Sequence, residues 1–372
     1  MQMCGVESMQ LQQSSLFESM FGEGFEEIVF FSDPKTGLKS IVAIHDTTLG
    51  PALGGTRIWN YRSEFEALKD VMRLAKAMTL KAAGAGLNLG GGKAVIIGNP
   101  EEIKNEYLLR SYGRFIETLG GRFITGEDVG TTLEDIRAMA VETKYVTGVM
   151  YDPSPFTAYG VYAGMKACLR HVYGDDSLEG IHVAVQGLGK VGLELAKLLI
   201  EDGARLMVTD IDGRRVRECI EIGGKCVEYV EPSRIYSVEC DIFSPCALGG
   251  VINDSTVKKL NCRIIAGAAN NQLESEKHGE MLSRMEILYA PDFIINAGGL
   301  ITVANEYMHG EINPDILKRE IERVGERLEK IFRMSESMLD RSGMPMSTSK
   351  AAEMFALQRI ERIAGMKRIY IP

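Results

Sequence analysis

Residues 181–210 read IHVAVQGLGKVGLELAKLLIEDGARLMVTD, and this stretch decides the fold. An apolar run leads directly into a G-x-G-x-x-G motif made by Gly187, Gly189 and Gly192. An amphipathic helical pattern follows the motif, and a second apolar run ends at Asp210. A strand, a glycine turn, a helix and a second strand in this order predict an α/β fold, in which a parallel sheet is doubly wound with helices.

The same motif predicts a ligand. Its first glycine permits a tight turn, its second lets backbone N–H groups meet a pyrophosphate at the helix N-terminus, and its third allows close helix packing. Lys190 and Val191 open that helix and are included in the predicted cofactor site. An acid about 20 residues on accepts hydrogen bonds from a ribose and repels a 2′-phosphate, so Asp210 predicts NAD rather than NADP.

The chain beyond this unit continues the same architecture. Apolar runs at residues 241–245, 263–266 and 287–289 predict further parallel strands. From Asn313 onward the period and the charge pattern predict helix, with Asn313-Pro314-Asp315 as the start signal.

A second informative stretch, residues 81–97, reads KAAGAGLNLGGGKAVII. A helical pattern is expected to end at Lys81, and a glycine loop brings Lys93 to the edge of a buried strand over residues 94–97. A lysine either binds a carboxylate or, when it is desolvated near another cation, acts as a base. The stretch therefore predicts two amines with divided roles in one cleft, against the alternative of two surface lysines beside a flexible loop.

The N-terminal half supplies the surroundings of these lysines. Residues 38–45 predict a strand, and DTTLGPALGGTR over residues 46–57 predicts a turn-rich loop. Ser63 with Glu66 is a capping signal for a helix whose methionines Met72 and Met78 are interpreted as core residues. The segment GGRFITGEDVGTT predicts a strand followed by an acidic loop, in which Asp128 is either a chemical group or only a turn or cap residue.

Composition limits the possible functions. The 372 residues are 45% hydrophobic, enough for about two domains. A formal charge of −9 and a pI near 5.3 argue against nucleic acid as a partner. The sequence has neither an apolar run of about 20 residues nor a signal-like start, which predicts a cytoplasmic protein without membrane contact. Seven cysteines without a CxxC pair, and scattered histidines, predict reduced thiols and no metal site.

Taken together, these motifs resemble the glutamate/leucine/phenylalanine/valine dehydrogenase family, and most closely its leucine-specific members. The matching segments extend from about Leu38 to Leu300 and are IVAIHDTTLGPALGGTR, AAGAGLNLGGGKAVIIGNP, GRFITGEDVGTT, PSPFTAYGV, VAVQGLGKVG, DIFSPCALGGVIN, AGAANNQL and YAPDFIINAGGL. The chain departs from the family pattern in its N-terminal extension and in a shortened connection at residues 149–153.

The resemblance implies NAD-dependent, reversible oxidative deamination of apolar L-amino acids. By family role, Lys81 would bind the substrate carboxylate, Lys93 would be the catalytic amine and Asp128 the proton relay. Other substrate contacts are expected at Leu53, Gly54, Gly55, Met78, Gly126, Asn271, Leu300 and Val303. Cofactor contacts are expected at Thr157, Gly187, Gly189, Lys190, Val191, Gly192, Asp210 and Asn271.

The resemblance also implies a domain plan. A substrate and oligomerisation domain is expected over residues 1–156, with residues 1–15 as a mobile extension. A Rossmann domain is expected over residues 157–339, and a C-terminal helical segment, residues 340–372, would return to the first domain. The active site would lie between the domains, and the protein would be a homo-oligomer, commonly an octamer.

Substrate choice depends on a few positions. Glutamate-specific relatives have a lysine at the position of Leu53 and a serine at that of Val303, so an apolar substrate is expected here. Leucine enzymes usually have alanine at the position of Gly126, whereas phenylalanine and tryptophan enzymes tend to have glycine. A phenylalanine or tryptophan dehydrogenase is therefore the alternative, followed by a catalytically inactive NAD-binding regulator.

Overall fold

The computed structural model describes residues 15–311, 313–339 and 343–365. The predicted extension of residues 1–15 lies outside the described residues except for Ser15, which caps the first helix. The described residues form two compact units. The first unit takes them from Met1–Ala83, Asn88–Val149 and Ile360–Pro372, and the second from Gly84–Leu87 and Met150–Arg359.

The first unit contains a mixed sheet. Its strands are β1 (Glu27–Asp33), β2 (Leu38–Asp46), β3 (Ala52–Leu53), β4 (Thr56–Trp59), β5 (Gly90–Ile97) and β6 (Phe123–Ile124). The order is β1-β2-β5-β3-β6, with β4 also paired to β5. The β1/β2 and β2/β5 pairs are antiparallel, and the remaining pairs are parallel.

Helices cover both faces of this sheet, because its central strands are apolar on both sides. The helices are α1 (Leu16–Glu23), α2 (Glu64–Gly84), α3 (Pro100–Ile103), α4 (Glu106–Thr118) and α5 (Leu133–Ala140). Alternate residues of β2 and β5 enter different cores, one shared with α2 and the other with α4 and α5. Met72 is buried in the α2 core, as predicted. The capping signal is also confirmed, since the Glu66 N–H donates to the Ser63 hydroxyl at 3.1 Å.

The second unit contains a six-stranded parallel sheet. Its strands are β7 (His182–Gln186), β8 (Arg205–Thr209), β9 (Val227–Tyr229), β10 (Ile242–Pro245), β11 (Ile264–Ile265) and β12 (Leu288–Tyr289). The order β12-β11-β10-β7-β8-β9 reverses direction between β7 and β10, which is the switch point where doubly wound sheets bind ligands. The predicted doubly wound fold is confirmed, although β9 was not predicted.

The helices of this second part of the chain complete the layers. They are α6 (Ser154–Tyr173), α7 (Lys190–Glu201), α8 (Gly213–Gly223), α9 (Glu276–Arg284), α10 (Asp292–Ile295), α11 (Gly298–His309), α12 (Pro314–Ser337) and α13 (Thr348–Ala364). The Asn313 side chain accepts from the Asp315 N–H at 2.9 Å and caps α12, as its start signal predicts.

Three local predictions are wrong. Gly90, Gly91 and Gly92 belong to β5 rather than to a loop, and α2 continues past Lys81 to Gly84. These glycines are required by packing: a Cβ on Gly90 would lie 2.1 Å from the Asp46 carbonyl oxygen, and one on Gly91 would lie 2.0 Å from the Thr79 nitrogen. The stretch predicted as a turn-rich loop over residues 46–57 contains β3 and the start of β4.

Among the described residues, no helix is long and apolar enough to cross a membrane. The six cysteines in the described part of the chain are free thiols.

Candidate active site

The centre of the first unit's site is the amine of Lys93. Lys93 lies in the middle of β5, paired in register with Ala43, and its side chain is only 7% exposed. Its Nζ lies 2.9 Å from the Asp128 Oδ1. The two residues that the sequence predicts to carry the chemistry are therefore a buried ion pair.

Glycines bring these two residues together. A Cβ on Gly54 would lie 1.9 Å from the Gly92 carbonyl oxygen, and one on Gly55 would lie 2.3 Å from the Glu127 carbonyl oxygen. Real Cβ atoms do not approach that closely, so only glycine allows the three backbone segments to meet. The loop that carries Asp128 is thereby packed against the strand that carries Lys93.

Asp128 is held by the loop that follows β6. Its N–H donates to the Thr131 hydroxyl at 2.8 Å, and the Thr131 N–H donates to the Asp128 carbonyl at 3.0 Å. The cap of α5 is Thr132, which makes a capping box with Asp135. The interpretation of Asp128 as a helix cap is therefore wrong, and its carboxylate is available to Lys93.

Burial and charge set the protonation of this pair. Burial lowers the pKa of Lys93, although Asp128 opposes the shift, and Arg57 adds to the lowering. Burial alone would raise the pKa of Asp128, but Lys93 and Arg57 outweigh it and lower the pKa. Asp128 is thus a carboxylate near neutral pH, and Lys93 is an amine that loses its proton more readily than an ordinary lysine.

Arg57 is a member of the site that the sequence did not reveal. Its Nε lies 2.8 Å from the Asp128 Oδ2, and its Nη1 lies 2.9 Å from the Asp70 Oδ2. The only signal in the sequence is a charged residue between the buried Thr56 and Ile58 of β4, directly after the paired glycines.

The other predicted substrate residues of this unit lie in α2, in β3 and in the loop after β6. Lys81 is half-buried in the last turn of α2, and Met78 is half-buried one turn earlier. Leu53 is 2% exposed at the end of β3. Gly126 is buried, and a Cβ there would lie 3.3 Å from the Thr147 carbonyl oxygen.

In the second unit, the glycine motif forms a turn between β7 and α7. Gly187 has φ +99°, a conformation that favours glycine, and a Cβ on Gly192 would lie 2.0 Å from the Gly187 carbonyl oxygen. Gly189 is the N-cap of α7, which has no side-chain cap within the described residues. Lys190 and Val191 form its first turn. Among the described residues, a Cβ on Gly189 would come within 4 Å of the Arg215 Nη1 alone, at 3.9 Å.

These features fit a dinucleotide. Uncapped N–H groups at the start of a helix bind phosphate, and the space beside Gly189 leaves room for one. Asp210 follows β8, and its Oδ2 accepts from the Leu188 N–H at 2.6 Å, which links the acid to the glycine turn. The Arg215 Nη1 lies 3.8 Å from the same carboxylate.

The remaining predicted contacts lie elsewhere in this unit. Thr157 is in the first turn of α6 and packs closely on the start of α11, because a Cβ on Gly299 would lie 2.5 Å from its Oγ1. Leu300 and Val303 are in α11, buried and half-buried respectively. Asn271 is exposed, with a left-handed φ of +50°, and its carbonyl accepts from the Gly250 N–H at 2.7 Å.

One group of side chains has metal-ligand chemistry. Candidate ligand atoms of Asp254, Glu274 and His278 lie within 4.8 Å of one another. The Lys277 Nζ, however, lies 2.8 Å from the Asp254 carboxylate and already neutralises it. We assign no metal to this group.

Comparison with known proteins identifies the class. The profile described as "Glu/Leu/Phe/Val dehydrogenase, dimerisation domain" matches residues 25–145, and the profile "Glutamate/Leucine/Phenylalanine/Valine dehydrogenase" matches residues 148–216 and 206–367. The described strands and the buried lysine–carboxylate pair fall inside these matches. The chain belongs to the glutamate/leucine/phenylalanine/valine dehydrogenase family.

Individual relatives agree with this assignment. The leucine dehydrogenase of Geobacillus stearothermophilus is 51% identical over 352 residues, covering 93% of each chain. That of Thermoactinomyces intermedius is 49% identical over 362 residues, covering 96% of each chain. The crystal structure of L-tryptophan dehydrogenase from Nostoc punctiforme aligns with a TM-score of 0.84 at 45% identity, covering 94% of this chain and all of that one.

Proposed function

We propose that this protein catalyses the NAD-dependent, reversible oxidative deamination of apolar L-amino acids to 2-oxo acids and ammonia, with leucine and the other branched-chain amino acids preferred. The observation that carries the proposal is the buried Lys93 amine, 2.9 Å from the Asp128 carboxylate. The high identity to leucine dehydrogenases over nearly the whole chain supports the same reaction.

Each residue has a defined task in this reaction. Bound NAD would supply the acceptor for the hydride that leaves the substrate Cα, which turns the amine into an iminium. Lys81 would hold the substrate carboxylate as a fixed positive charge. Lys93, in its neutral form, would take a proton from the water that attacks the iminium carbon. Asp128 would pass protons between Lys93 and the departing ammonia.

The cofactor would be held by the second unit. The proposed contacts are the backbone of Gly187, Gly189, Lys190, Val191 and Gly192 for the pyrophosphate, and Asp210 for the adenosine ribose. The uncapped start of α7 and the space beside Gly189 support this proposal. Thr157 and Asn271 are proposed to contact the nicotinamide or the substrate.

An apolar substrate is favoured by two positions at which glutamate-specific relatives have polar residues. Leu53 and Val303 stand where glutamate-specific relatives have polar partners, and Leu53 is 2% exposed. Burying an unpaired carboxylate against an apolar side chain such as Leu53 would cost several kcal/mol. Glutamate should therefore be a poor substrate.

Gly126 favours a second candidate within the same reaction class. A Cβ at this position would lie 3.3 Å from the Thr147 carbonyl oxygen, and by the resemblance glycine here is typical of phenylalanine and tryptophan enzymes. One of the similar solved structures is of an L-tryptophan dehydrogenase. A phenylalanine or tryptophan enzyme is therefore the alternative. An inactive NAD-binding regulator is disfavoured because Lys81, Lys93 and Asp128 are all present.

We further propose a homo-oligomer, the octamer being the state expected from the resemblance. Phe17 and Phe21 of α1 are 70% and 86% exposed, and Phe30 is 56% exposed on the edge strand β1. Exposed aromatic residues beside an open sheet edge are typical of a subunit interface. Light scattering of the purified protein would test this, and a monomer would contradict it.

The activity is tested by initial rates of NADH formation across a panel of leucine, valine, isoleucine, methionine, phenylalanine, tryptophan and glutamate. We expect branched aliphatic substrates to have the highest kcat/KM. A preference for phenylalanine or tryptophan would favour the alternative. Glutamate reacting as fast as leucine would contradict the pocket assignment, and no reaction with any of them would contradict the proposed function.

A further inference from the structure

Arg57 joins the buried pair to a second carboxylate. Its guanidinium donates from Nε to Asp128 and from Nη1 to Asp70, at 2.8 and 2.9 Å. Its side chain is 21% exposed, and that of Asp128 is 20% exposed. An arginine held at both ends by carboxylates has a fixed orientation, because its planar fork is rigid.

Asp70 is itself fixed from two further directions. The Tyr61 hydroxyl donates to its Oδ2 at 2.8 Å, and the Arg73 Nη2 donates to its Oδ1 at 2.8 Å. Burial would raise the pKa of Asp70, but hydrogen bonds from Arg73 and Tyr61 and the charge of Arg57 outweigh it and lower the pKa. Asp70 is therefore an anion near neutral pH, and it anchors the Arg57 Nη1 while Asp128 accepts from Nε.

The position of Arg57 matters because Lys93 must change its charge during the proposed reaction. When Lys93 is neutral, Asp128 would be a buried carboxylate without a counter-ion if Arg57 were missing. Such a group is costly, and the cost would force the proton back onto Lys93. Arg57 stays charged throughout, since Asp128 and Asp70 outweigh its burial and raise its pKa.

We propose that Arg57 is a positioning residue of the reaction: it holds the Asp128 carboxylate toward the Lys93 amine and remains its counter-ion while Lys93 is neutral, with Asp70 as the anchor. This inference rests on the proposed function, in which Lys93 is the base. It gives roles to two residues outside the lysine–aspartate pair, and it predicts that they act on Lys93 in opposite directions.

The opposite signs follow from the charges that face Lys93. Asp128 and Asp70 favour its protonated form, whereas Arg57 disfavours it. Replacing Arg57 by a neutral residue should therefore keep the proton on Lys93 to higher pH. Replacing Asp70 by a neutral residue should release that proton at lower pH.

The test uses the full-length protein with the variants Arg57→Gln, Arg57→Lys and Asp70→Asn. Two quantities are measured against pH: kcat/KM for leucine deamination, and the reactivity of Lys93 toward acetic anhydride, read by peptide mass spectrometry. Acetylation reports the unprotonated amine whether or not the enzyme turns over.

We expect Arg57→Gln to lower kcat/KM near neutral pH by about 10- to 100-fold and to move both profiles to higher pH. Arg57→Lys should shift the two pH profiles less, since lysine keeps the positive charge but lacks the planar guanidinium that bonds to two carboxylates. Asp70→Asn should move both profiles to lower pH. Arg110→Gln is the matched control, because Arg110 also bridges two carboxylates of the first unit, Glu106 and Glu142, and should leave both profiles unchanged.

Shifts of Lys93 reactivity in opposite directions for Arg57→Gln and Asp70→Asn would support the proposal. Shifts in the same direction, or loss of activity with no shift of the Lys93 profile, would overturn it and leave Arg57 a structural residue. If Arg57→Gln failed to fold by circular dichroism, the sign of the Asp70→Asn and Arg57→Lys shifts would decide. A wild-type protein that deaminates nothing would refute the proposed function, while the acetylation profiles would still show whether Arg57 controls Lys93.

Discussion

The two candidate binding regions use different chemical groups, charged side chains in the first unit and backbone N–H groups in the second. In the first unit, charged side chains of β4, α2, β5 and the loop after β6 meet around the Lys93 amine. In the second unit, the candidate phosphate site is the backbone of residues 187–192, which we call the backbone cradle. The charged side chains of Asp210 and Arg215 lie beside it. The charge of a side-chain cluster changes with pH and with single substitutions. Backbone N–H groups do not titrate, and their arrangement is disturbed mainly when a glycine of the turn is replaced. The two regions should therefore fail in different ways.

The largest expected effect is that of Lys93→Ala, which should impair the first region and leave the second intact. Lys93→Ala should retain NAD binding but lose deamination by about 100- to 10,000-fold or more, since the amine acts only on the reacting centre. Measurement of kcat, with NADH binding followed by fluorescence, checks this. Lys81→Ala is the comparison variant, and it should chiefly raise KM. Turnover near the wild-type rate in Lys93→Ala would show that the catalytic amine is misassigned.

The same contrast explains what the sequence could predict. The glycine turn, its helix and Asp210 are contiguous, so their pattern places them together before any tertiary structure is known. The observed β7 ends directly before Gly187, and β8 ends directly before Asp210. Arg57 and Asp128 are 71 residues apart, and only the fold shows that they touch.

The sequence also does not predict the two-residue strand β3 or the position of three glycines inside a strand. Gly90 to Gly92 have the composition of a loop, yet neighbouring backbone atoms require them inside β5. β3 has only two residues, which are too few to show the alternation of apolar and polar residues that indicates a strand. Contacts between distant segments decided both cases, and a single sequence does not contain them.

The second prediction concerns pH, which should affect one region and not the other. Because Lys93 and the substrate amine must both be neutral to react, and because burial lowers the pKa of Lys93, kcat/KM should rise steeply from about pH 7 toward alkaline pH. The rise should reach at least about tenfold per pH unit on its acidic side. NADH affinity over the same range should stay nearly constant. A flat rate profile would contradict a lysine base.

The third prediction tests the charged side of the backbone cradle. Asp210→Asn keeps an oxygen for the Leu188 N–H but removes the charge that repels a 2′-phosphate, and Arg215 remains nearby. The ratio of kcat/KM for NADP to that for NAD should rise by tenfold or more. Asp202→Asn, at the far end of α7, is the control and should leave the ratio unchanged. A wild-type enzyme that uses both cofactors equally would refute the role of Asp210.

The smallest effect concerns Gly126, which is part of neither the charged cluster around Lys93 nor the glycine turn of residues 187–192. Gly126 has ordinary backbone geometry, and an added methyl group would lie 3.3 Å from the Thr147 carbonyl oxygen and 3.6 Å from its Cγ2. Alanine therefore requires the Thr147 backbone to move by a few tenths of an ångström, and by the proposed role of position 126 its methyl group would narrow the side-chain pocket. Gly126→Ala should shift preference from phenylalanine toward the smaller branched substrates by roughly 1–3 kcal/mol of relative transition-state binding.

The control for this change is Gly22→Ala, a glycine with no neighbour within 4 Å of its added Cβ among the described residues. It should leave the leucine-to-phenylalanine ratio of kcat/KM at the wild-type value. If Gly126→Ala also left the ratio unchanged, then position 126 would not line the substrate pocket. Phenylalanine tolerance would then have to come from other positions, because a glycine widens a pocket only where its missing methyl group would have met the substrate.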